Sequence, residues 1–294
     1  MVRKPGTKIA RHTAEAIYVR GENLVEDLIG GLTFTEMMYF QLLGGRPTPA
    51  QTKILDAVLV TLMEHGITPS SIVARMIYDS CPEAVQAAVA AGLLGVGSTF
   101  VGTMEGCAAN LEEILAGAKD AEGVDGEAVR AGEVARARAI AQRVRAAKQP
   151  IPGFGHPHHK PDDPRSPRLI ALAEEAGVPG RHIRALRLLA AEVDAAWGRH
   201  LTINATGAIA ALLGEIGVPR EVMRGIAVVS RAAGLVGHIR EEQLDPAARA
   251  MWEAVNEGIP YTGKWFSHRS YSFCPVCALA PIVRLCKPTL SYPG

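Results

Sequence analysis

Apolar residues fill long stretches of the chain without the regular two-residue alternation that is typical of half-buried β-strands. Ala, Leu, Val and Gly dominate these stretches, and aromatic residues make up only 5% of the chain. Small apolar side chains favour helices that pack closely against one another. The pattern therefore predicts a mainly α-helical fold.

Two proline-containing segments predict helix starts. Thr48-Pro49-Ala50-Gln51 offers an N-cap hydroxyl, a proline at the first helical position and a reciprocal Gln side chain. Asp245-Pro246 repeats the first two of these features. We therefore expect helices near residues 50–64 and 246–256.

The segment from Pro219 to His238 carries two stripes of a single predicted helix. We expect an apolar stripe to face the core, and it consists of Val222, Ile226, Val229 and Val236. A second stripe also recurs at spacings of three and four, and it consists of Arg224, Ala227, Arg231, Gly234 and His238. Its two arginines and two small residues predict a face that receives an anion.

Two other stretches differ from the rest in character. The charged, Ala-rich region before residue 150 predicts a loop near 119–127 and a solvent-lined helix up to about 147. From Lys264 onward no helical period continues, which indicates a loosely attached tail. A zinc site in this tail would combine Cys274, Cys277, His268 and Cys286, but a single C-x-x-C is a weak signal.

Composition narrows the class of function. The chain has 294 residues, 48% of them apolar, which is enough to bury one large core or two smaller ones. Its net charge is only +1, so no nucleic acid or anionic membrane is called for, and a small-molecule ligand is favoured. We see no membrane-length apolar run and no secretory signal, and the five cysteines form no disulfide framework; we expect reduced thiols and a cytoplasmic protein.

The segment IPGFGHPHHKPDDPR, residues 151–165, concentrates the candidate chemistry. One interpretation is a metal site formed by His156, His158 and His159, but their spacing fits no helical ligand pair, and adjacent loop histidines usually point apart. We therefore expect no metal, with His158 and His159 at the surface of the loop.

Two other interpretations of this segment stay open. Gly153 and Gly155 would let backbone amides approach a phosphate, with Lys160 adding charge, although there is no Walker pattern. Alternatively, His156 performs acid–base chemistry while Arg165 binds a carboxylate, a pair that suits a hydroxy or keto acid substrate.

The same segment resembles the signature loop of the citrate synthase superfamily, in which G-F-G-H is followed by Lys or Arg and then D-P-R. Other stretches resemble family segments in the family's order. These are RGENLVEDLIGGLTFTEMMYFQLLGGRPTPAQ, EHGITPSSIVAR around His65, and the late helix SRAAGLVGHIREE. The resemblance covers about residues 15–243.

This resemblance implies an all-α, citrate synthase-like fold, in which a large helical domain and a smaller inserted one close over an acyl-CoA and a 2-oxo acid. It also implies a homodimer or higher homo-oligomer with the sites near the subunit interface. The implied boundaries are 1–107 and 208–260 for the two parts of the large domain, 108–207 for the small domain, and 261–294 for a C-terminal tail.

Site residues follow from the resemblance as well. The residues implied to bind the substrate are His65, Arg165, Arg231 and His238, and His156 would lie on its carbonyl or hydroxyl oxygen. CoA, as a thioester substrate, would lie against a loop that contains Pro152, Gly153, Phe154, Gly155 and Lys160. No metal is implied.

At two catalytic positions the sequence departs from the family. Citrate synthase-like enzymes also use a histidine in an H-G-G-A turn and an aspartate in an N-V-D segment, and here TMEGCAAN and LTINATGAIAALL put Glu105 and Thr206 at those places. Threonine cannot act as a base at neutral pH. An ionised Glu105 would repel a developing oxyanion; a protonated Glu105 could donate to it, or Glu105 could itself carry the proton.

Three functional hypotheses follow. The first is a carbon–carbon lyase that cleaves a citryl-CoA-like thioester into an acyl-CoA and a 2-oxo acid such as oxaloacetate; the chain's overall look favours stand-alone citryl-CoA lyases. The second is a condensing synthase, a transferase that forms the same bond. The third is a CoA-thioester binding protein that has lost the original chemistry.

Overall fold

The structure, a computed structural model, describes residues 5–99, 101–116 and 126–263, and most of these residues are helical. The helices are α1 Phe34–Leu43, α2 Pro49–Met63, α3 Pro69–Ser80, α4 Val85–Leu94, α5 Thr103–Leu115, α6 Gly126–Ala146, α7 Arg165–Glu175, α8 Arg181–Trp197, α9 Ala205–Glu215, α10 Met223–Leu244 and α11 Ala248–Gly258. The prediction of an all-α fold is confirmed.

A small antiparallel sheet precedes the helices. Its strands are β1 Ala10–His12, β2 Ile17–Val19 and β3 Glu22–Asn23, in the order β1-β2-β3. The side chain of Arg20, at the turn between β2 and β3, donates to the carbonyl oxygen of Gln41 at the end of α1 over 3.1 Å from Nε. The N-terminal hairpin is thereby attached to the first helix.

Helix α9 lies at the centre of the core. It contacts α2, α5, α7 and α8, and Ala208, Ile209 and Leu212 are fully buried. A helix that is apolar on all sides is stable only when other elements surround it. The loop that precedes α9 is therefore held at a fixed place in the core, which matters for the site described below.

Helix starts agree with the sequence to different degrees. At α2, Thr48 and Gln51 form the expected reciprocal cap, with Pro49 as the first helical residue. Helix α11 begins at Ala248, two residues after Pro246. Its first N–H groups are satisfied by Glu242, whose Oε1 accepts from the backbone N of Ala247 and of Ala248 at 2.8 Å each.

The two stripes of α10 are arranged differently from the prediction. Ile226 is buried, but Val229 and Val236 are 39% and 51% exposed, so the expected apolar stripe does not face the core as a whole. The buried face instead includes Ala227, Gly234 and His238 of the second stripe. The helix is turned because its small residues allow close approach to α2, which a sequence period alone does not reveal.

Within the described part of the chain, one helical stretch, residues 220–244, is long and apolar enough to cross a bilayer by length and composition alone. A single stretch of this kind is weak evidence, because core helices of globular proteins meet the same criteria, and this helix packs against α2, α3, α4 and α5.

Residues 1–251 form one compact unit and residues 252–294 another, of which 252–263 are described. The implied boundaries of the large and small domains stay predictions. The predicted loop near 119–127 lies mostly outside the described residues, and so do the tail from Lys264 and its four candidate zinc ligands.

Candidate active site

The signature loop is fixed by backbone hydrogen bonds to the segment that precedes α9. The backbone N of Gly155 donates to the carbonyl of Thr202 over 2.8 Å, and the N of Asn204 donates to the carbonyl of Gly153 over 3.0 Å. Gly153 has a positive φ of 86° and lies against Cys107 and Gly207, where a side chain would overlap both. Glycine is required there because three backbone segments meet.

The side chain of Cys107 packs against Gly153 at this junction. It is fully buried, and burial raises the pKa of its thiol to about 12. A thiol in this state is neither a nucleophile nor a ready metal ligand.

Asp163 organises the end of the loop. Its buried carboxylate accepts from Nε and Nη2 of Arg165 at 2.9 and 2.7 Å and from the backbone N of Ala205 at 2.9 Å. Burial alone would raise the pKa of this carboxyl, but hydrogen bonds and the charge of Arg165 outweigh burial and lower the pKa to about 2. Asp163 is therefore a fixed anion that holds the guanidinium in place.

Hydrogen bonding defines the tautomer of His156. Its Nδ1 accepts from the backbone N of His158 at 3.1 Å and of His159 at 3.0 Å. An Nδ1 that accepts two N–H groups cannot carry a proton, so the proton of the neutral ring is on Nε2. Nε2 lies 3.5 Å from Nη2 of Arg165, and its N–H is available for an oxygen atom of a ligand.

Three imidazoles converge at this point. The ring of His159 stacks on that of His156 with centroids 4.3 Å apart, and its Nε2 lies 3.4 Å from Nε2 of His65. The pKa of His65 is lowered mainly by desolvation and then by Arg165; that of His156 is lowered mainly by desolvation and then by His159. His65 and His156 are therefore neutral near pH 7.

A metal ion is one occupant that this histidine cluster could hold. Nitrogen atoms of His65, His156 and His159 lie within 4.8 Å of one another. Zinc, however, needs an unprotonated nitrogen with a free lone pair, whereas Nδ1 of His156 already accepts two N–H groups and the proton of the neutral ring is on Nε2. The neighbouring guanidinium of Arg165 also disfavours a cation. These features suit an anionic substrate better, and the absence of a metal stays a prediction.

Arg231 and His238, both on α10, have different surroundings. Arg231 is close enough for its charge to lower the pKa of His65, and its buried Nη1 has no hydrogen-bond partner among the described residues. Desolvation lowers the pKa of Arg231 itself, with Glu64 acting in the opposite direction. A buried guanidinium N–H of this kind is well suited to a substrate carboxylate.

His238 does not face the histidine cluster openly. It is 9% exposed, its Nδ1 accepts from Nε of Arg75 at 3.1 Å, and its Nε2 lies 3.0 Å from Oε2 of Glu64. The predicted contact of His238 with substrate stays a prediction; in the free protein both ring nitrogens face other side chains.

Glu105 and Thr206 lie on the first turns of α5 and α9. The carboxylate of Glu105 lies in ion-pair contact with the guanidinium of Arg224. The Thr206 hydroxyl donates to Oδ1 of Asn204 over 2.7 Å and lies 2.8 Å from the hydroxyl of Thr103. The structure thus gives Glu105 a guanidinium partner, and both hypotheses for Glu105, a donor to the oxyanion and a proton carrier, stay predictions.

The start of α5 also contacts the signature loop. A side chain at Gly106 would lie 3.0 Å from the ring atoms of Pro152, and Cys107 contacts Gly153. The segment that carries Glu105 is therefore packed directly against the first part of the loop that we predict to bind CoA.

A cavity of about 690 Å³ opens immediately before the loop, between the ends of α6 and α8. It is lined by Arg145, Ala146, Lys148, Gln149, Pro150 and Trp197. The guanidinium of Arg145 lies over the indole ring of Trp197, 5.5 Å from the ring centroid. Basic groups beside an aromatic face are the features that bind a nucleotide.

The structure brings His65, His156 and Arg165 together as the resemblance implied, with Arg231 near His65. Lys160, by contrast, is exposed and precedes a cis peptide bond to Pro161. The roles of all these residues toward a ligand stay predictions.

Some candidate residues could not be predicted from the sequence. His159 was expected at the loop surface, but it is half-buried between His65 and His156. The cavity residues Arg145 and Trp197 are far apart in sequence and carried no motif. The sequence marks Arg224 only as a member of the second stripe of α10, not as a partner of Glu105.

Comparisons with known proteins bear on the family and the fold. The family described as citrate synthase, C-terminal domain, matches residues 7–251. The structure of citryl-CoA lyase from Hydrogenobacter thermophilus has a TM-score of 0.74 and 31% sequence identity, and the match covers 89% of this chain and 96% of that one. The predicted citrate synthase-like fold is thereby confirmed.

Two other relatives match less of their own length. The structure of ATP citrate lyase from Methanothrix soehngenii in complex with citrate and coenzyme A has a TM-score of 0.66; the match covers 90% of this chain and 43% of that one, and its 20% identity shows the fold alone. Putative citrate synthase 2 of Mycobacterium tuberculosis is 29% identical over 204 residues, 68% of this chain and 50% of that protein. The chain spans about half the length of the curated relatives it matches.

Proposed function

Because this chain belongs to the citrate synthase family, we propose that it is a carbon–carbon lyase that cleaves citryl-CoA, or a similar hydroxyacyl-CoA thioester, into an acyl-CoA and a 2-oxo acid. The observation that carries the proposal is the group of imidazoles and guanidinium groups formed by His65, His156, His159, Arg165 and Arg231. The similarity to citryl-CoA lyase over almost its whole length supports the lyase reaction.

The carboxylates of the substrate would bind the two guanidinium groups. Arg165 is held by Asp163 with Nη2 toward His156, and Arg231 has a buried N–H without a partner among the described residues. Guanidinium groups bind carboxylates through paired, charge-assisted hydrogen bonds. The neutral ring of His65 would add a hydrogen bond, so the pocket suits the oxo acid part of a citryl thioester.

His156 would act on the oxygen at the carbon where the bond breaks. Its Nε2–H would donate to the tertiary hydroxyl oxygen of the substrate, which becomes the carbonyl oxygen of the 2-oxo acid. Since the ring already carries its proton on Nε2, a bound water is the better acceptor for the hydroxyl proton. His156 then keeps the oxygen in place while the carbon–carbon bond breaks.

The electron pair of that bond passes to the thioester, which forms an enolate. A proton must then reach the enolate carbon to give the acyl-CoA, so that the proton lost from the hydroxyl is replaced at carbon. We assign this transfer to Glu105, because an ionised carboxylate can take up a proton from water and deliver it, and Arg224 holds it in position. Thr206 would act through its hydrogen bonds to Asn204 and Thr103.

CoA would lie against the loop from Pro152 to Lys160 and would also fill the cavity that precedes this loop. Arg145 and Lys148 would bind phosphate groups of CoA, and the indole of Trp197 would contact the adenine ring. The chain then runs from the cavity directly into the loop that ends at the histidine cluster, as a long thioester substrate requires.

A condensing synthase is a second candidate function. Relatives named citrate synthase match at 29% identity, and the same groups would stabilise the same transition state in either direction. The third candidate is a CoA-thioester binding protein without turnover. It is favoured by Thr206, whose hydroxyl cannot replace an aspartate as a base.

We also propose a cytoplasmic homodimer that needs neither nucleic acid nor membrane. Helices α3, α4 and α10 contact one another and expose apolar side chains, namely Val73, Ile77, Leu94, Val229 and Val236. Exposed apolar residues on neighbouring helices are typical of subunit interfaces. A second copy of this chain would cover them.

The test is to incubate the purified protein with citryl-CoA and to follow the release of oxaloacetate and acetyl-CoA. The lyase reaction predicts cleavage that falls at least about 100-fold in His156→Ala. Citryl-CoA that binds without being cleaved would instead support the binding protein, and release of citrate and free CoA from acetyl-CoA and oxaloacetate would support the synthase.

A further inference from the structure

The turn between α2 and α3 carries His65, and Glu64 holds this turn. Oε1 of Glu64 accepts from the backbone N of His65 at 2.8 Å and from that of Gly66 at 2.6 Å. Gly66 has a positive φ of 72°, which lets two successive N–H groups point toward one carboxylate oxygen. The peptide from which the His65 imidazole projects is therefore fixed by its neighbour's side chain.

The other carboxylate oxygen of Glu64 faces a buried network. Oε2 lies 3.0 Å from Nε2 of His238, whose Nδ1 accepts from Nε of Arg75 at 3.1 Å. Nη1 of Arg75 donates to Oε2 of Glu242 over 2.8 Å, and Arg75 is only 1% exposed. Buried charges paired in this way are costly to rearrange, so the network is a rigid support.

Helix α10 lies directly against the end of α2 at this place. A side chain at Gly234 would overlap the carbonyl oxygen of Met63 and lie 3.3 Å from Oε2 of Glu64. The hydroxyl of Ser230 also donates to the carbonyl of Leu59. The helix that carries Arg231 is thus the helix that supports Glu64.

We propose that Glu64 is a positioning residue for the substrate pocket, supported by His238 and Arg75, and that it fixes His65 relative to Arg231. This inference rests on the proposed role of His65 in binding the substrate. Glu64 itself does not bind the substrate, because its carboxylate would repel the carboxylates of an oxo acid. His238 then acts through Glu64 and makes no substrate contact of its own.

Two substitutions at Glu64 separate its contacts. In Glu64→Gln the amide oxygen can still accept from the backbone of the turn, but the NH₂ group cannot accept from His238. Glu64→Ala removes both contacts. The matched control is Glu113→Gln, because Glu113 is similarly exposed, 43% against 47%, and is also paired with a basic side chain.

The kinetic expectation is a rise in KM for citryl-CoA of about tenfold or more in Glu64→Ala and a smaller rise in Glu64→Gln, with kcat changed much less. Glu113→Gln should behave as the unchanged protein. Arg75 and His238 are not substituted, since removing either would leave a buried group unpaired and could unfold the protein.

A ligand-free measurement keeps the inference testable if citryl-CoA is not cleaved. The imidazole signal of His65, assigned by its loss in His65→Gln, is followed by NMR through a pH titration. Its pKa is lowered in the intact protein by desolvation, and loss of the turn should raise it toward 6.5 in Glu64→Ala. The other charged and titratable groups that face His65 are the same in the variant, namely Arg165, His159, Arg231, Asp163 and His156.

The direction in which the pKa of His65 changes in Glu64→Ala distinguishes displacement of the ring from simple loss of the negative charge. Removing the negative charge of Glu64 alone would lower the pKa of His65, so a rise can only come from a displaced, more hydrated ring. A His65 signal and a KM that do not change in Glu64→Ala would overturn the positioning role. If the intact protein does not cleave citryl-CoA but the pKa of His65 rises in Glu64→Ala, the proposed reaction is refuted and the positioning role of Glu64 stands.

Discussion

Both carboxylate oxygens of Asp163 hold the guanidinium of Arg165, with Nε 2.9 Å from Oδ1 and Nη2 2.7 Å from Oδ2. Asp163 is fully buried, whereas Arg165 is partly open toward the histidine cluster. The pair therefore presents one guanidinium edge to the pocket and keeps the other neutralised inside the protein.

This pair makes the stability of the fold sensitive to acid. The pKa of Asp163 is lowered from 3.8 to about 2, so the pair contributes about 2 kcal/mol that is fully present above pH 4 and is lost as the pH falls toward 2. In Asp163→Asn, the free energy of unfolding from urea titrations should be lower at pH 7 and lose this acid dependence. The control Asp162→Asn, at an exposed neighbouring position, should keep the acid dependence. If Asp163→Asn showed the same acid dependence as the unchanged protein, Asp163 would not be its source.

The neutral imidazoles predict the pH dependence of the reaction. Because the pKa of His65 and of His156 is lowered from 6.5, both rings are neutral at pH 7 and become protonated only at a pH below 6.5. A proton on Nδ1 of His156 would oppose the two backbone N–H groups that it accepts. We expect kcat/KM for citryl-CoA to be constant from about pH 7 upward and to fall with an inflection below 6.5. An inflection above 6.5 would refute this view of the site.

Glu105→Gln tests the proton carrier. The amide keeps the shape and a contact for Arg224 but cannot move a proton, so kcat should fall by about 100-fold or more with little change in KM. Glu112→Gln on the same helix, where the glutamate pairs with Arg220 at the surface, is the control. If kcat is unchanged in Glu105→Gln, a group other than Glu105 delivers the proton to the enolate.

Arg145→Ala tests the CoA cavity. Loss of the cation beside Trp197 should raise the KM for the CoA thioester by about tenfold and leave kcat nearly unchanged. The neighbouring Arg143 pairs with Glu113 outside the cavity, so Arg143→Ala should have no such effect. If Arg145→Ala and Arg143→Ala raise the KM equally, the arginines attract the CoA thioester only through their general positive charge, and the cavity is not a specific binding site.

Chelation tests whether the histidine cluster needs a metal. With His156 carrying its proton on Nε2 and Arg165 beside it, we expect activity to survive EDTA treatment and dialysis. Activity that disappears and returns with added zinc would show that His65, His156 and His159 bind a metal after all.

Much of the local structure is readable from the sequence. The reciprocal cap of Thr48 and Gln51 and the start of α2 at Pro49 follow from side chains within one helical turn. The signature loop is recognisable for a similar reason, because His156, Asp163 and Arg165 lie close together along the chain. Such features depend on near neighbours, which the sequence shows directly.

Tertiary structure decided the features that join distant segments. The orientation of α10 depends on the contact of Gly234 with the end of α2, and no period in the sequence distinguishes that face from the one that includes Val229 and Val236. His159 stacks on its near neighbour His156, but the three-histidine cluster exists only because the fold also brings His65, 94 residues away, to the ring of His159. Likewise Glu105 has an ion-pair partner because the fold brings Arg224, 119 residues away, to its carboxylate. The sequence determines which groups are present, whereas burial and long-range contacts set their protonation, orientation and neighbours.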